Sequence, residues 1–393
     1  MRIAELVAYH VQIPLKRRIR HASYTRHTSD SIIIRCVLID GTEGWGEGLP
    51  RHYVTGETVE TGFDLLRGTP ISEQLGAEFQ TLDDALALLD PFELTRPEVD
   101  PRECYGNAIR CAVELSVLDA ACRALGVPVS TITSRYAPAV GVRAESTEVR
   151  YGAVITSTSR LKQRVMASLI RMYGFRQTKV KVRAADVDDA SSLKRIRRVC
   201  GRRMDIRVDA NEAWTCQNLE KNLEPLLPFE ISCIEQPVPH ADVNGLAEVR
   251  SRIETPIMLD ESLCSLLDAR QAIERGTCDL FNIRLSKCGG FLRSLRLAAT
   301  ANQAGLGFQF GCHVGETGIL SAAGRHFATS VSGIRYLEGS YDRYLVKERL
   351  THEDLTFGRG GMAPAIVGPG LGISIDEEAL RRVTLSEEHY SVS

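Results

Sequence analysis

Residues 204–214 read MDIRVDANEAW, a short run of alternating apolar and polar residues that ends in Asp209 and a turn. Alternation with a period of two is typical of a β-strand. Similar runs ending in a charged residue recur every 25 to 28 residues, at Lys181, Asp209, Glu235, Asp260 and Lys287. Each interval has the length of about one strand and one helix, so the stretch belongs to a repeating strand–helix unit.

Eight such runs follow one another, with helical stretches between them. In order they are YGAVIT, TKVKV, MDIRVDANEAW, ISCIEQPV, PIMLDES, LFNIRLSKCGG, GFQFGCHVGET and IRYLEGS. Strand–helix alternation is typical of a parallel sheet, and eight units favour a closed, TIM-like (β/α) barrel over an open sheet. We expect this catalytic barrel at residues 131–358. Barrel active sites lie at the C-terminal strand ends, where the charged residues fall.

The rest of the chain predicts a smaller unit beside the barrel. Residues 1–130 combine antiparallel strand patterns with the helical stretch YGNAIRCAVELSVLDAACRALGVPV and read as an α+β capping domain. Residues 359–393 begin with many glycines and prolines, and we expect this segment to return to the capping domain. The fold class is therefore α/β, a modified barrel with an N-terminal cap.

Composition narrows the classes of function. The 393 residues carry a formal net charge of -2, which does not favour nucleic acid or an anionic membrane as a general partner. No apolar run approaches the roughly 18 residues of a membrane span, and the N-terminus lacks the layout of a signal peptide. Eleven cysteines without a CxxC pair are typical of a reduced, cytoplasmic protein.

Three of the strand-end residues are carboxylates. Asp209, Glu235 and Asp260 follow consecutive strands, so their side chains should converge and raise one another's pKa values. A hard divalent cation resolves that conflict, and oxygen ligands suit Mg²⁺ or Mn²⁺. The alternative is that each carboxylate separately caps the helix after it.

Two lysines should face each other across the barrel mouth. Lys181 ends the second predicted strand and Lys287 the sixth, which lie on opposite sides of an eight-stranded barrel. This arrangement suits proton abstraction from one face of a carbon and delivery to the other, with cationic groups stabilising an enediolate. A lysine base needs a pKa well below its usual value of roughly 10.4, and burial and the neighbouring Lys179 should lower it. The alternative is that these lysines only form ion pairs with the acids.

The combined motifs TKVKV, VDANEAW, IEQPV, LDES and SKCGG resemble the enolase superfamily. Lys-x-Lys on strand two with a lysine before Gly-Gly on strand six is similar to its muconate-lactonizing-enzyme subgroup, which includes dipeptide epimerases, N-acylamino acid racemases and o-succinylbenzoate synthases. The resemblance implies Mg²⁺ ligands at Asp209, Glu235 and Asp260, and an acid–base pair at Lys181 and Lys287 supported by Lys179. It also implies that Asn211 and Glu261 hold these groups in place.

The resemblance further implies that loops of the cap touch the substrate. Residues 16–27, which include Arg20, hold five Lys/Arg and no acid. They would neutralise a second anionic group of the substrate, the alternative being a solvated basic loop. Residues 49–58 include Tyr53 and the sequence TGET, which resembles dipeptide epimerases.

Strands seven and eight depart from the subgroup. GCHVGET has one residue more than the usual Gly-Cys-Met-x-Glu-Ser/Thr, which puts the usual position of Glu316 in question. His313 either lines the pocket or is an ordinary hydrogen-bonded histidine. LEGSYD lacks the Asp-x-Asp with which dipeptide epimerases bind an amino end, leaving Glu338 or Asp342 as the substitute.

These residues favour a Mg²⁺-dependent racemase or epimerase that acts on a small amino-acid-derived carboxylate. A muconate-type cycloisomerase or an o-succinylbenzoate synthase would use the same residues. A non-catalytic binding barrel should lack a ligand or a lysine, and none is missing. A sugar-acid dehydratase usually relies on a His–Asp dyad, whereas strand six carries Lys287 here. Such barrels often form homo-oligomers, and the sequence leaves the oligomeric state open.

Overall fold

The computed structural model describes residues 1–20, 25–95, 97, 99–156, 159–182 and 188–393, without the side chains of Ile19, Arg20 and Thr25. Within these ranges the chain forms a four-stranded, an eight-stranded and a two-stranded sheet. No helix in the described ranges is long and apolar enough to cross a membrane.

The strands are β1 (Ile3–Arg20), β2 (Thr25–Leu38), β3 (Glu43–Gly48), β4 (Glu148–Arg150), β5 (Ala153–Ile155), β6 (Gln177–Lys181), β7 (Asp205–Asp209), β8 (Ile231–Glu235), β9 (Ile257–Leu259), β10 (Leu280–Ile283), β11 (Gly307–Phe310), β12 (Ile334–Leu337), β13 (Met362–Pro364) and β14 (Thr384–Ser391). The helices are α1 (His52–Thr55), α2 (Val59–Gly68), α3 (Ile71–Leu75), α4 (Leu82–Leu89), α5 (Asn107–Ala124), α6 (Thr131–Arg135), α7 (Arg160–Tyr173), α8 (Asp189–Cys200), α9 (Leu219–Leu223), α10 (Leu246–Arg250), α11 (Leu266–Arg275), α12 (Leu285–Cys288), α13 (Phe291–Gln303), α14 (Gly318–Ser330), α15 (Asp342–Leu345) and α16 (Glu377–Val383).

The N-terminal strands form an antiparallel sheet in the order β14–β1–β2–β3. The long predicted helix is α5, which is buried along most of its length and packs against β3. Glycine alternates along β3, and a Cβ at Gly46 would lie 2.0 Å from the carbonyl oxygen of Ala112 in α5. The absence of side chains on this face therefore lets α5 approach the sheet at backbone contact.

Each of the eight predicted runs contains one strand of the parallel sheet, whose order from β5 to β12 follows the chain. The sheet curls, since Lys179 on β6 contacts Glu338 directly after β12. The backbone N–H of Gly152, just before β5, donates to the carbonyl oxygen of Leu337 on β12 (2.8 Å). The curled sheet and the strand-rich N-terminal unit confirm the coarse fold prediction.

Local sequence explains where the outer helices begin and end. Ser265 precedes α11, and its side chain accepts a hydrogen bond from the backbone N–H of Asp268. Gly276 ends the same helix in the left-handed conformation that favours glycine. Such short connections return the chain from each helix to the next strand, so that successive strand ends meet at one edge of the sheet.

Candidate active site

The predicted strand-end residues lie together at the C-terminal edge of the parallel sheet. Lys181, Asp209 and Glu235 are the last residues of β6, β7 and β8, and Asp260 directly follows β9. The parallel register pairs Lys181 with Asp209 and Asp209 with Glu235. The regular spacing in the sequence thus becomes a row of ionisable side chains.

Lys287 reaches this row in a way that the sequence did not predict. It lies beyond β10, in the one-turn helix α12, rather than at the strand end. The helical turn folds the side chain back, and its Nζ donates to the Asp260 carbonyl oxygen (2.6 Å), Asp260 Oδ1 (2.9 Å) and the Asn282 carbonyl oxygen (2.8 Å). Lys287 is therefore fixed on the β9 side of the row, with three acceptors for its three protons.

The two lysines of β6 have different surroundings. Nζ of Lys179 is buried and lies 3.1 Å from Glu235 Oε1 and 3.0 Å from Glu338 Oε2. The Lys181 side chain is 22% exposed, and its Nζ donates to Asn211 Oδ1 (2.6 Å) and lies 4.0 Å from Asp209 Oδ2. Lys181 is consequently the more accessible lysine, while Lys179 bridges carboxylates deeper in the sheet.

The carboxylates of Asp209, Glu235 and Asp260 are almost completely buried. Burial raises the pKa of Glu235 to about 8, because the opposing effect of Lys179 is partly cancelled by the nearby Asp209 carboxylate. Burial also acts on Asp260, but Arg284 and Lys287 outweigh it and hold the pKa of Asp260 well below its usual range. The row therefore contains acids with opposite pKa shifts at adjacent strand ends.

Asn211 and Glu261 lie where they connect these groups. The Asn211 side chain accepts from Lys181, its Nδ2 donates to Glu261 Oε1 (3.3 Å), and its backbone N–H donates to Asp209 Oδ1 (3.0 Å). One asparagine thus joins the lysine of β6, the acid of β7 and the loop after β9.

Arg284 is a member of the site that sequence reasoning missed. Its Nη2 bonds Asp260 Oδ2 and lies 3.6 Å from Glu235 Oε1. The signal was present in the period-two alternation of Leu280, Asn282 and Arg284, which sends every second side chain to one face. Gln236 was also missed: its Oε1 accepts from the N–H groups of Asp260 (2.8 Å) and Ser262 (3.1 Å), and no sequence pattern indicates this.

The expected fall in lysine pKa is not found at Lys287. Burial lowers the pKa of this ammonium group, but the Asp260 carboxylate outweighs burial, and the net pKa of Lys287 is raised. Burial also opposes the charge of Lys179, yet Glu235, Glu338 and Asp209 raise its pKa. The expectation from the sequence counted nearby cations and neglected these direct carboxylate contacts.

The three carboxylates match a hard divalent cation in chemistry. Three buried carboxylates offer only oxygen ligands, as Mg²⁺ prefers. Their mutual repulsion contributes to the raised pKa of Glu235, and a cation would relieve it. In the described residues, however, no three His, Cys, Asp or Glu side chains form a ready ligand group. Lys179 and Arg284 occupy carboxylate oxygens, so the donors fit the ion in chemistry and those two cations compete with it.

His313 and Glu316 lie in the loop after β11. The Glu316 side chain accepts from the backbone N–H of His313, and burial raises the pKa of Glu316 to about 8. His313 is 5% exposed, and neither of its ring nitrogens has a hydrogen-bond partner among the described residues. In that part of the chain it lacks the bonds of the ordinary hydrogen-bonded histidine that the sequence left as an alternative, and lining of the pocket by His313 stays a prediction.

Glu338 lies in the interior of the curled sheet. Its Oε2 accepts from Lys179 and its Oε1 from Arg207 on β7. Despite burial, Lys179 and Arg207 hold the pKa of Glu338 at about 2. Asp342, the other candidate at this strand end, is buried and pairs with Arg349 (3.3 Å). Both acids predicted as possible binders of a substrate amino group are thus already paired with cations.

The cap contributes Tyr53 in α1, whose ring lies 5.7 Å from the guanidinium of Arg26. The Arg20 side chain, predicted to contact the substrate, lies outside the described residues. Arg51 is buried and ties the cap to the loop after β11, because its Nη2 donates to the carbonyl oxygen of Val314 (3.1 Å).

Comparison with known proteins agrees with this arrangement. Residues 162–379 match the family model described as enolase C-terminal domain-like, and an L-Lys-D/L-Arg epimerase of Methylococcus capsulatus is 30% identical over 87% of this chain and 91% of its own length. The chain belongs to the enolase superfamily. Another member of the superfamily, an N-succinyl-L-Arg/Lys racemase of Bacillus cereus, is 29% identical over 99% of both chains. A muconate cycloisomerase of Rhodococcus opacus is 25% identical over 95% of this chain and 96% of its own.

Solved structures of superfamily members have the same fold. The N-succinyl Arg/Lys racemase from Bacillus cereus superimposes with a TM-score of 0.84 at 26% identity, covering 99% of this chain and 100% of that one. A dipeptide epimerase from Cytophaga hutchinsonii, solved with Mg and the dipeptide D-Ala-L-Val, superimposes with a TM-score of 0.83 at 23% identity and the same coverage.

Proposed function

We propose that this enolase-superfamily chain is a Mg²⁺-dependent racemase or epimerase that exchanges the proton α to the carboxylate of an amino-acid derivative. The observation that carries the proposal is the placement of Lys181 and Lys287. Lys181 approaches the row of carboxylates from the Asp209 side, and Lys287 approaches it from the Asp260 side. Two amines on opposite sides of one site suit removal of a proton from one face and return to the other.

Asp209, Glu235 and Asp260 would hold the divalent cation. When bound, that ion stabilises the negative charge that develops on the substrate carboxylate as the α-proton leaves. The Mg reported with the Cytophaga hutchinsonii epimerase supports this assignment. The ammonium group of Lys179 would balance the negative charge of Glu235 and Glu338 beneath the substrate. The guanidinium group of Arg284 would balance that of Asp260.

The two lysines have separate roles in the proton transfer, one removing the α-proton and the other returning a proton. Among the described residues, Asn211 Oδ1 is the close acceptor of Lys181 Nζ, so Lys181 has fewer hydrogen bonds to break than Lys287 when it turns toward the substrate. Lys287 is held as an ammonium by three oxygen acceptors and delivers its proton to the opposite face. For the other enantiomer the two roles reverse, as microscopic reversibility requires.

We also propose that the parallel sheet closes into a barrel over residues 131–358, and that residues 1–130 and 359–393 together form the cap. The Gly152–Leu337 hydrogen bond between the two ends of the sheet supports closure. Pairing of β14 with β1 supports the shared cap. Glu235 and Glu338, four strands apart, both contact Lys179 from the interior of this barrel.

A muconate-type cycloisomerase is the second candidate, and the Rhodococcus opacus relative supports it. In that reaction one lysine moves the proton and the other only stabilises charge. The three acceptors around Lys287, which favour its ammonium form, are compatible with such a division.

Exchange of the α-proton with solvent deuterium tests the proposal. With Mg²⁺ and a panel of N-acylamino acids and dipeptides, the enzyme should incorporate deuterium from both enantiomers of a substrate. Lys181→Gln should lose exchange of one enantiomer and Lys287→Gln that of the other, each by at least about 100-fold. The exposed Lys194→Gln is the matched control. Failure to exchange any compound, together with cyclisation of a muconate, would favour the cycloisomerase.

A further inference from the structure

His313 is a buried polar side chain whose hydrogen-bonding capacity is unused. It is 5% exposed, and both Nδ1 and Nε2 lack a partner within the described part of the chain. Buried polar groups are nearly always hydrogen-bonded, since an unmade bond costs the desolvation of the group. A buried imidazole with two free nitrogens at an active site therefore indicates a ligand that completes it.

The loop that carries His313 is held rigidly between the sheet and the cap. Arg51 Nη2 donates to the carbonyl oxygen of Val314 (3.1 Å), and Ser29 Oγ donates to that of Gly315 (3.1 Å). Glu316 accepts from the N–H of His313 itself. These bonds occupy the backbone on both sides of the imidazole and leave its ring as the free group of the loop.

The ring acts as a neutral hydrogen-bonding group. Burial lowers the pKa of His313 well below its usual value, and the nearby guanidinium groups of Arg284 and Arg51 lower it further. A neutral imidazole has one N–H donor and one acceptor nitrogen. Because Arg284, Arg51 and Lys287 lie near the ring and outweigh Asp260, a ligand atom that approaches the N–H should be an oxygen with negative partial or full charge.

At the same end of the sheet the charges of Glu338 and Asp342 are balanced by cations, although Asp342 Oδ1 has no hydrogen-bond partner among the described residues. Both oxygens of Glu338 accept from buried cations, and Asp342 pairs with Arg349. Burial raises the pKa of Glu316 to about 8, so Glu316 adds little negative charge at neutral pH. A free ammonium placed here would be desolvated beside carboxylates whose charge is already balanced by cations, which is unfavourable.

We infer that the ends of β11 and β12 bind the acyl group of an N-acylated amino acid, with the His313 ring N–H donating to the acyl oxygen, and that this subsite disfavours the free amino end of a dipeptide. The inference rests on the proposed function, because it identifies which amino-acid derivative that reaction would use. An acyl group has an oxygen for His313 and brings no cation. His313 is thus a substrate-binding residue that selects between two classes of amide.

The test compares matched compounds that share one reacting residue: its N-acetyl derivative, its N-succinyl derivative and its N-alanyl dipeptide. Deuterium exchange with Mg²⁺ is measured for each, over several reacting residues. The wild-type enzyme should exchange the better N-acyl compound with a kcat/KM at least about tenfold above that of the dipeptide. Exchange of dipeptides equal to or faster than that of both N-acyl compounds would overturn the inference and leave the proposed function intact. No exchange with any compound would overturn both.

Two variants locate the selectivity at His313. His313→Leu should raise KM for the N-acyl substrate at least about tenfold while changing kcat by less than about threefold, because the lost bond does not involve the reacting atoms. His313→Gln keeps a donor and an acceptor and should recover most of the lost affinity. An unchanged KM in His313→Leu would contradict the assignment. Thermal unfolding of both variants controls for folding, and the wild-type selectivity remains a test if His313→Leu does not fold.

Discussion

The side-chain Nδ2 of Asn107, at the start of α5, donates to the carbonyl oxygen of Lys287 (2.7 Å) and to that of Cys264 (2.8 Å). Asn107 is buried, and it joins the cap helix to the turn that carries the candidate acid–base lysine and to the loop after β9. One amide group from the cap therefore holds two loops of the active site in register.

Replacing Asn107 should affect both stability and rate. Asn107→Ala leaves two buried carbonyl oxygens without their donor, and we expect a loss of about 1–3 kcal/mol in the free energy of unfolding. The freed α12 turn should also lower kcat for proton exchange. Urea unfolding and deuterium exchange measure the two effects. Asn302→Ala, which removes an exposed contact to the Gly141 carbonyl oxygen (3.3 Å), is the control and should change neither.

Gly290 allows α13 to begin directly against α5. Its φ is +119°, and a Cβ there would lie 2.4 Å from Glu114 Oε1, which accepts the N–H of Leu292 (3.0 Å). We expect Gly290→Ala to destabilise the protein by at least about 2 kcal/mol through strain and displacement of Glu114. Gly68→Ala, with no atom within 4 Å of the added Cβ, should be nearly neutral in the same unfolding assay. Equal unfolding midpoints for Gly290→Ala and Gly68→Ala would contradict the steric argument.

Binding of Mg²⁺ should stabilise the folded protein independently of any substrate. At a concentration 100 times Kd the gain is about 2.7 kcal/mol, visible as a rise in Tm by calorimetry. Asp260→Asn and Glu235→Gln should abolish the rise. Asp205→Asn, at the opposite end of β7 from Asp209, should retain it. A rise that persists in both site variants would place the ion elsewhere.

Glu47 should make stability depend on pH. It is fully buried on β3, and burial raises its pKa to about 7, although Thr317 and Leu320 donate hydrogen bonds to it. The folded state binds this proton more tightly than the unfolded state, so the contribution is complete below about pH 4.5 and is lost as pH rises toward 7. We expect a loss of about 3 kcal/mol over that window.

Urea unfolding at pH 5 and pH 8 measures this dependence. Glu47→Gln cannot titrate and should reduce the difference between the two pH values. The more exposed Glu43, on the same strand and paired with Arg35 (3.3 Å), provides the control: Glu43→Gln should leave the difference unchanged. If the wild-type protein were more stable at pH 8 than at pH 5, and Glu47→Gln removed that difference, the predicted sign would be wrong.

Strand periodicity was sufficient to predict the eight parallel strands and to bring Asp209, Glu235 and Asp260 to one edge. Each strand–helix unit starts its strand at the same edge of the sheet, and each strand rises by a fixed distance per residue. Residues one unit apart along the chain therefore lie at the same level in the sheet. The local sequence pattern was enough to predict these positions because the contacts that fix them lie between successive strand–helix units.

Other features depend on contacts between distant parts of the chain. Lys287 moves beyond its strand because α12 forms, and α12 is held by Asn107, which lies 180 residues earlier. The raised pKa of Lys287 follows from direct contact with Asp260, and the pairing of Glu338 follows from Lys179 and Arg207 on other strands. No local pattern predicts such pairings.

The pairing of β14 with β1 has a consequence for how the protein is made. β1 leaves the ribosome first among the strands, yet one edge of it stays open until β14 has been synthesised, after the entire parallel sheet. The sheet that covers the active site is therefore completed late in translation. An unfinished chain would expose this unpaired strand edge to other nascent chains, which makes β1 a site for wrong strand pairing until β14 is in place.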